Sequence, residues 1–151
     1  ELEKLICYCM EKESITEEDV AVICSEQTEN KIFDMINAMA EKKQKKAMEL
    51  YYDLLALKEP PMRILYLITR QFNLLMQVKE LSEEGYSAKT ISERLKMAGF
   101  IVRNCLRQAE YFSLKTLKEA LQDCVRMEEA VKTGRMNDVM SVELLLVKYS
   151  S

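Results

Sequence analysis

The chain has 151 residues, close to half of them apolar, with three glycines, two prolines and a formal net charge of −3. That length suits one domain, or one domain with a fragment of another, and the apolar share is enough for a hydrophobic core. The scarcity of glycine and proline excludes sandwiches and barrels, the weak negative charge excludes a bulk polyanion binder, and the composition predicts an all-α helical bundle.

Targeting signals are absent from the sequence. No apolar run approaches the length of a membrane span, and nothing resembles a signal peptide. We therefore expect a cytoplasmic protein with no membrane partner. Because the chain opens at Glu1 within a helical pattern, we also expect it to be a piece of a longer protein.

The N-terminal stretch differs from the rest in charge. Residues 1–30 carry nine acidic and two basic side chains, whereas basic side chains outnumber acidic ones over 31–58. A helix is predicted over 2–13, and a short second helix is capped by Thr16 and ends near Cys24. The following "SEQTEN" has the polar composition of a linker. Together these features predict a domain boundary near residue 30.

Turn signals such as "KEPP", "EEGYS" and "KTG" divide the remaining chain into helices. Ser87 and Ser113 are predicted N-caps. The helix after "KEPP" is the longest, and its apolar residues cover more than one stripe, which predicts a position in the middle of the bundle. The predicted ranges are 31–42, 44–57, 61–82, 88–95, 100–112, 114–132 and 138–149.

No catalytic, metal or cofactor site is predicted. The chain lacks histidine, which excludes a His-based triad, and three isolated glycines form no phosphate loop. Five cysteines at helical positions indicate reduced thiols, and Cys7 and Cys9 point to different helix faces, so buried packing is favoured over zinc binding. The lysines of "EKKQKK" could meet phosphate, and the pairs Tyr51-Tyr52 and Tyr111-Phe112 could stack on bases, but a solvated junction and helix packing are favoured.

The stretch "TISERLKMAGFIVRNCLRQAEYF", residues 90–112, has the spacing of a helix-turn-helix unit. Its second helix begins with the apolar residues 100–102, where a DNA-reading helix carries polar side chains that meet base edges. Arg103 and Arg107 follow one turn too late. Helix packing is therefore favoured, and a helix-turn-helix DNA-binding regulator is the alternative interpretation of this stretch.

Several short motifs follow one another along the chain: "IFD", "PP" with "ILYLITRQF", "LRQA", and "KTG" followed by "EL". Each is weak alone, but their order and spacing are fairly specific. The chain resembles, over its whole length, the C-terminal region of the bacterial DNA polymerase III delta subunit family.

This resemblance implies a clamp-loader subunit in DNA replication, part of an AAA+ pentamer that places the sliding clamp on primed DNA. Residues 1–29 would be the C-terminal part of the lid domain, and residues 30–151 the helical collar that joins the delta-prime and gamma/tau subunits. The clamp would be held only by a missing N-terminal domain, and primer–template DNA would be met through the assembled complex. The family lacks a working ATP site but belongs to the DNA polymerase III holoenzyme, a nucleotidyltransferase, so enzymatic activity is left open.

Two sets of residues are candidates for these roles. Apolar residues that remain after each helix has filled its own core should form the subunit interface. Phe72, Phe100 and Ile101 are the interface candidates. The loop "KTGRMN" carries the DNA-proximal candidates Lys132 and Arg135, although a plain glycine-capped connection is favoured there.

Overall fold

A computed structural model describes the backbone of residues 17–151 and the side chains from residue 27 onward. This part of the chain contains seven α-helices and no strand, which confirms the all-α prediction. The predicted helix over 2–13, the cap at Thr16, and Cys7 and Cys9 lie outside the described residues. The helices are α1 (Glu17–Ala40), α2 (Gln44–Ala56), α3 (Pro61–Glu83), α4 (Ala88–Leu95), α5 (Gly99–Ala109), α6 (Leu114–Lys132) and α7 (Asp138–Ser150).

The first described helix is longer than the sequence predicted. A break at "SEQTEN" was expected, but α1 continues through it without interruption. Thr28 is buried and donates to Glu59 over 3.2 Å, while Glu29 accepts from Arg70 over 3.4 Å. These contacts hold the polar stretch against the bundle, so tertiary packing outweighs the local preference of this stretch for a non-helical linker. The linker prediction is wrong, and the domain boundary near residue 30 stays a prediction.

The other helix boundaries follow local signals in the sequence. Ser87 accepts from the backbone N–H of Thr90, and Ser113 from that of Thr116, as N-caps do.

Three lysines adopt positive φ at turns between helices, where glycine is the usual residue: Lys42, Lys58 and Lys96. Turn geometry is therefore imposed by packing at positions without glycine.

Helix α3 occupies the centre of the bundle, as its multi-sided apolar pattern predicted. It contacts α1, α4, α5, α6 and α7. A helix with neighbours on several sides needs apolar residues around most of its circumference. The buried residues of α3 are Ile64, Leu65, Leu67, Ile68, Phe72, Leu75 and Val78.

Helix α7 closes the bundle by packing on α1, α2, α3 and α6. The Tyr51 hydroxyl donates to the carbonyl of Val139 over 2.9 Å, which ties α2 to the start of α7. Lys42 donates to the carbonyl of Tyr149 over 3.3 Å at the other end. No helix among the described residues is long and apolar enough to cross a membrane.

Candidate subunit interface

Helices α4 and α5 form a compact pair joined by a tight turn. Lys96 takes the left-handed conformation, with φ 54° and ψ 46°, at the end of α4. The hydroxyl of Ser92 donates to the carbonyl of Met97, which closes the turn. The sequence places lysine where a helix-turn-helix unit commonly has glycine, and the backbone nevertheless adopts the conformation that glycine favours.

The apolar start of α5 divides between core and surface. Val102 is fully buried, whereas Phe100 is 60 % exposed and Ile101 is 37 % exposed. Aromatic side chains are enriched in subunit interfaces, where a partner covers them. Both candidate interface residues of this helix are therefore accessible to a partner.

A buried amide network joins three helices. The Nε2 group of Gln71 on α3 donates to Oε1 of Gln108 on α5 over 2.9 Å. Gln108 in turn donates to the carbonyl of Phe33 over 3.1 Å and to Oδ1 of Asn37 over 2.8 Å, both on α1. The two glutamines come from "ITRQF" and "LRQA", two motifs on which the resemblance rests. Their shared role is structural, because the network fixes how α1, α3 and α5 pack.

Phe72, the third interface candidate, lies in the chain's own core. Its ring is fully buried and packs edge-on against Phe112, with centroids 5.8 Å apart. Tyr149 of α7 approaches the same ring at 6.2 Å. Phe72 thus presents no surface to a neighbouring molecule in this conformation.

A second exposed apolar surface lies on α7 and was missed by the sequence analysis. Met140, Leu144 and Val147 are 52 %, 43 % and 38 % exposed, and their spacing places them on one side of the helix. We call these three residues the α7 stripe. The opposite side of α7 is buried, so the helix is apolar around most of its circumference, which is typical of a helix covered on both sides. Apolar residues on all sides of α7 were the feature of the sequence that could have predicted this exposed surface.

The side chains of α2 border the α7 stripe. The hydroxyl of Tyr52 donates to Glu143 over 3.2 Å, and the Tyr52 ring is about half exposed. Partial loss of hydration raises the pKa of Tyr52 above its ordinary value, and the charge of Glu143 and the hydrogen bond to it act in the same direction. The tyrosine therefore stays neutral and extends the apolar surface toward α2.

The loop after α6 holds its basic residues in local ion pairs. Lys132 lies 2.8 Å from Glu128, and Arg135 lies 4.0 Å from Glu129. Gly134 adopts a positive φ of 75°, the conformation of a helix C-terminal glycine. Both candidate DNA-proximal side chains are exposed, but the adjacent glutamates offset their positive charge.

The cysteine side chains that the structure describes lie in surroundings that suit a packing role. Burial raises the pKa of the Cys124 thiol to about 11 and raises that of Cys105 as well, so both thiols stay protonated and unreactive. The side chain of Cys24 lies outside the described residues. Residues with described side chains form no group of three or more potential metal ligands.

With this geometry established, comparison with known proteins identifies the family. A family model described as the DNA polymerase III delta subunit, C-terminal domain, matches residues 29–149. The chain belongs to this family.

A curated sequence and a solved structure, both from Bacillus subtilis, are similar to this chain. The chain is 33 % identical over 148 residues to the DNA polymerase III subunit delta of strain 168, covering 98 % of this chain and 43 % of that protein. The solved structure of the Bacillus subtilis DNA clamp loader delta protein is similar with a TM-score of 0.81 and 32 % identity, covering 99 % of this chain and 44 % of that one. The chain thus spans less than half the length of these relatives.

The delta-subunit likeness also bears on the alternative interpretation of residues 90–112. Neither the family match nor the two relatives favours a helix-turn-helix regulator. The match begins at residue 29, close to the predicted boundary near residue 30, although α1 passes through that point as one helix.

Proposed function

We propose that this chain is the collar region of a clamp-loader subunit and that its mechanism is binding rather than catalysis. Membership of the delta family supports the clamp-loader assignment. In this proposal residues 30–151 form the collar, and residues 1–29 are the end of an AAA+ lid domain. The protein works in the cytoplasm during DNA replication.

The observation that carries the assembly role is the α7 stripe. Three large apolar side chains share one side of a helix whose other side already fills the core. Burial of such a side by a helix of a neighbouring subunit removes apolar area from water and stabilises the complex. We assign the α7 stripe, extended by Tyr52, as the main contact with a neighbouring collar, and Ile101 as part of a second contact.

The partners in this proposal are the delta-prime and gamma/tau subunits of the loader. The sliding clamp contacts the full subunit through an N-terminal domain outside this chain. Primer–template DNA is met by the assembled complex, with Lys132 and Arg135 as DNA-proximal residues of the loop after α6. The ion pairs of these two residues with Glu128 and Glu129 would have to open for direct phosphate contact.

The test is co-elution of the chain with purified loader ATPase and delta-prime subunits on a sizing column. The unchanged chain should enter the complex, and Leu144→Glu with Val147→Glu should remove it, because charged side chains resist burial in an apolar contact. Tyr66→Glu is a control for a charge at another exposed apolar position, since Tyr66 is 64 % exposed and lies on α3 rather than on α7.

Two outcomes would contradict the proposal. Loss of co-elution in Tyr66→Glu but not in the α7 double variant would place the subunit contact on α3 instead. Failure of the unchanged chain to join the complex, together with tight binding to one DNA sequence, would favour the helix-turn-helix regulator.

A further inference from the structure

The exposed side of α5 combines arginines with aromatic rings. Phe100, Arg103 and Arg107 follow one another at helical spacing on the side that faces water. Tyr111, just beyond the end of α5, is 61 % exposed, and Phe100 is exposed to the same extent at the start. We call these four residues the α5 face. It carries two cations between two accessible rings.

The arginines of the α5 face differ from most others in the described part of the chain. Arg63, Arg70, Arg126 and Arg135 each have a carboxylate within 4.0 Å. Arg103 and Arg107 have none among the described residues, although both are exposed. Arg107 instead donates to Oδ1 of Asn104, one turn earlier, which orients its guanidinium along the helix.

The sequence segment that contains the α5 face is also positively charged. No acidic residue occurs within α5, and residues 86–118 carry seven basic but only two acidic side chains in a chain whose net charge is −3. The concentration of unpaired positive charge creates a local potential that attracts anions. The other basic residues of this segment are Lys89, Arg94, Lys96, Lys115 and Lys118, all exposed.

We propose that the α5 face binds single-stranded nucleic acid, with Arg103 and Arg107 at the phosphates and Phe100 and Tyr111 stacked on bases. Positive side chains that follow the backbone, combined with exposed rings that accept any base, are the general means of binding unpaired strands. A duplex would present phosphates to the two arginines, but its bases are stacked on one another, so their faces are not available to Phe100 and Tyr111. An acidic protein segment would also present negative charge to the two arginines. It does not, however, carry a flat aromatic surface on every residue, as a nucleic acid does on every nucleotide.

Binding at the α5 face is independent of base sequence. The first turn of α5 holds Phe100, Ile101 and Val102, none of which can hydrogen-bond to a base edge. Phosphate contact and stacking carry no sequence information of their own. This proposal rests on the α5 face alone and does not depend on the collar assignment.

The test is fluorescence anisotropy of labelled oligothymidylate titrated with the 151-residue chain. Binding should weaken as salt increases, and Arg103→Glu with Arg107→Glu should weaken it about tenfold or more and flatten its salt dependence. Phe100→Ala and Tyr111→Ala should each weaken it roughly fivefold to a hundredfold. Circular dichroism confirms that each variant is folded.

Two charge-matched variants test the location. Lys58→Glu with Arg63→Glu changes the net charge by the same amount at exposed positions where α2 ends and α3 begins, and should leave affinity nearly unchanged. Lys132→Glu with Arg135→Glu tests the loop after α6 in the same way. An equal loss in either variant would overturn the assignment of binding to the α5 face.

Three further results would contradict the proposal. They are no binding of oligothymidylate at low salt, stronger binding of the corresponding duplex, and competition by polyglutamate as effective as that by the oligonucleotide. Because Phe100 was also a candidate for subunit contact, co-elution of Phe100→Ala with the loader subunits is measured alongside. Loss of co-elution with unchanged oligothymidylate affinity would assign Phe100 to a neighbouring subunit instead.

Discussion

Gln71 on α3 donates a hydrogen bond to Gln108 on α5 over 2.9 Å, and Gln108 in turn donates to two acceptors on α1. Both N–H groups of the buried Gln108 amide are used, and its oxygen accepts from Gln71. A fully satisfied buried network of this kind favours one packing of the three helices over alternatives.

Replacing Gln108 with glutamate should destabilise the fold strongly. The side chain keeps its shape, but an oxygen then faces the Phe33 carbonyl and Asn37 Oδ1 in a buried site, where the lost donors cost roughly 1–3 kcal/mol or more. Urea unfolding followed by circular dichroism measures the free energy of unfolding. Gln122→Glu, at an exposed position of α6, is the matched control and should change it little. Equal stability of the two variants would show that the network contributes nothing.

Asp123 should make stability depend on acid pH. It accepts from Lys148 and Tyr149, each over 2.5 Å. Burial opposes ionisation of Asp123, but the hydrogen bonds from Lys148 and Tyr149 outweigh it and lower its pKa below the ordinary value. Since the folded pKa is the lower one, the stabilisation is present above the unfolded pKa and is lost as pH falls through the folded pKa.

Asp123→Asn tests this coupling. At neutral pH we expect the variant to lose roughly 1–3 kcal/mol of unfolding free energy, and this difference should shrink below about pH 4 as the unchanged protein is protonated. Asp53→Asn is the control, because Asp53 is 61 % exposed and 3.9 Å from Lys31, where an ion pair contributes little. A difference between Asp123→Asn and the unchanged protein that is constant across this pH range would contradict the prediction.

Lys96→Gly should stabilise the protein. Lys96 has a φ of 54°, and the left-handed conformation costs a residue with a Cβ atom about 1–2 kcal/mol, a cost that glycine avoids. Allowing for the extra freedom of glycine in the unfolded chain, we expect a net gain of about 0.5–1 kcal/mol. Lys118→Gly, at an exposed position within α6, should instead lose about 1 kcal/mol. Thermal unfolding of the two variants should therefore shift in opposite directions.

Adjacent leucines of α7 should differ strongly in how much their truncation destabilises the fold. Leu145 is fully buried, so Leu145→Ala should cost about 2–5 kcal/mol of unfolding free energy. Leu144 is 43 % exposed, and Leu144→Ala should change that free energy by less than about 0.5 kcal/mol. If Leu144→Ala destabilised the isolated chain as strongly, the α7 stripe would belong to the chain's own core.

Local signals predicted much of this fold. Ser87 and Ser113 cap helices at the expected positions because their hydroxyl groups meet backbone N–H groups only a few residues away. The continuity of α1 could not be predicted in the same way, since it depends on contacts of Thr28 and Glu29 with residues distant in sequence. Long-range packing outweighed the local preference.

The candidate interface was predicted less well, for a related reason. Whether an apolar residue is left at the surface depends on which side of its helix the bundle covers. Phe100 and Ile101 remain accessible, whereas Phe72 is enclosed by Phe112 and Tyr149. Apolar spacing on α7 was visible in the sequence, but the division between its buried and exposed sides required the packed structure.

Helix α1 runs without interruption across the predicted domain boundary near residue 30. At 1.5 Å and 100° per residue, its 24 residues span about 36 Å. Insertion of a single residue just before Thr28 would turn everything on its N-terminal side by about 100° relative to the bundle. The direction in which the chain leaves this domain is therefore set by the number of residues in one helix, and a change in that number would act as a change in angle.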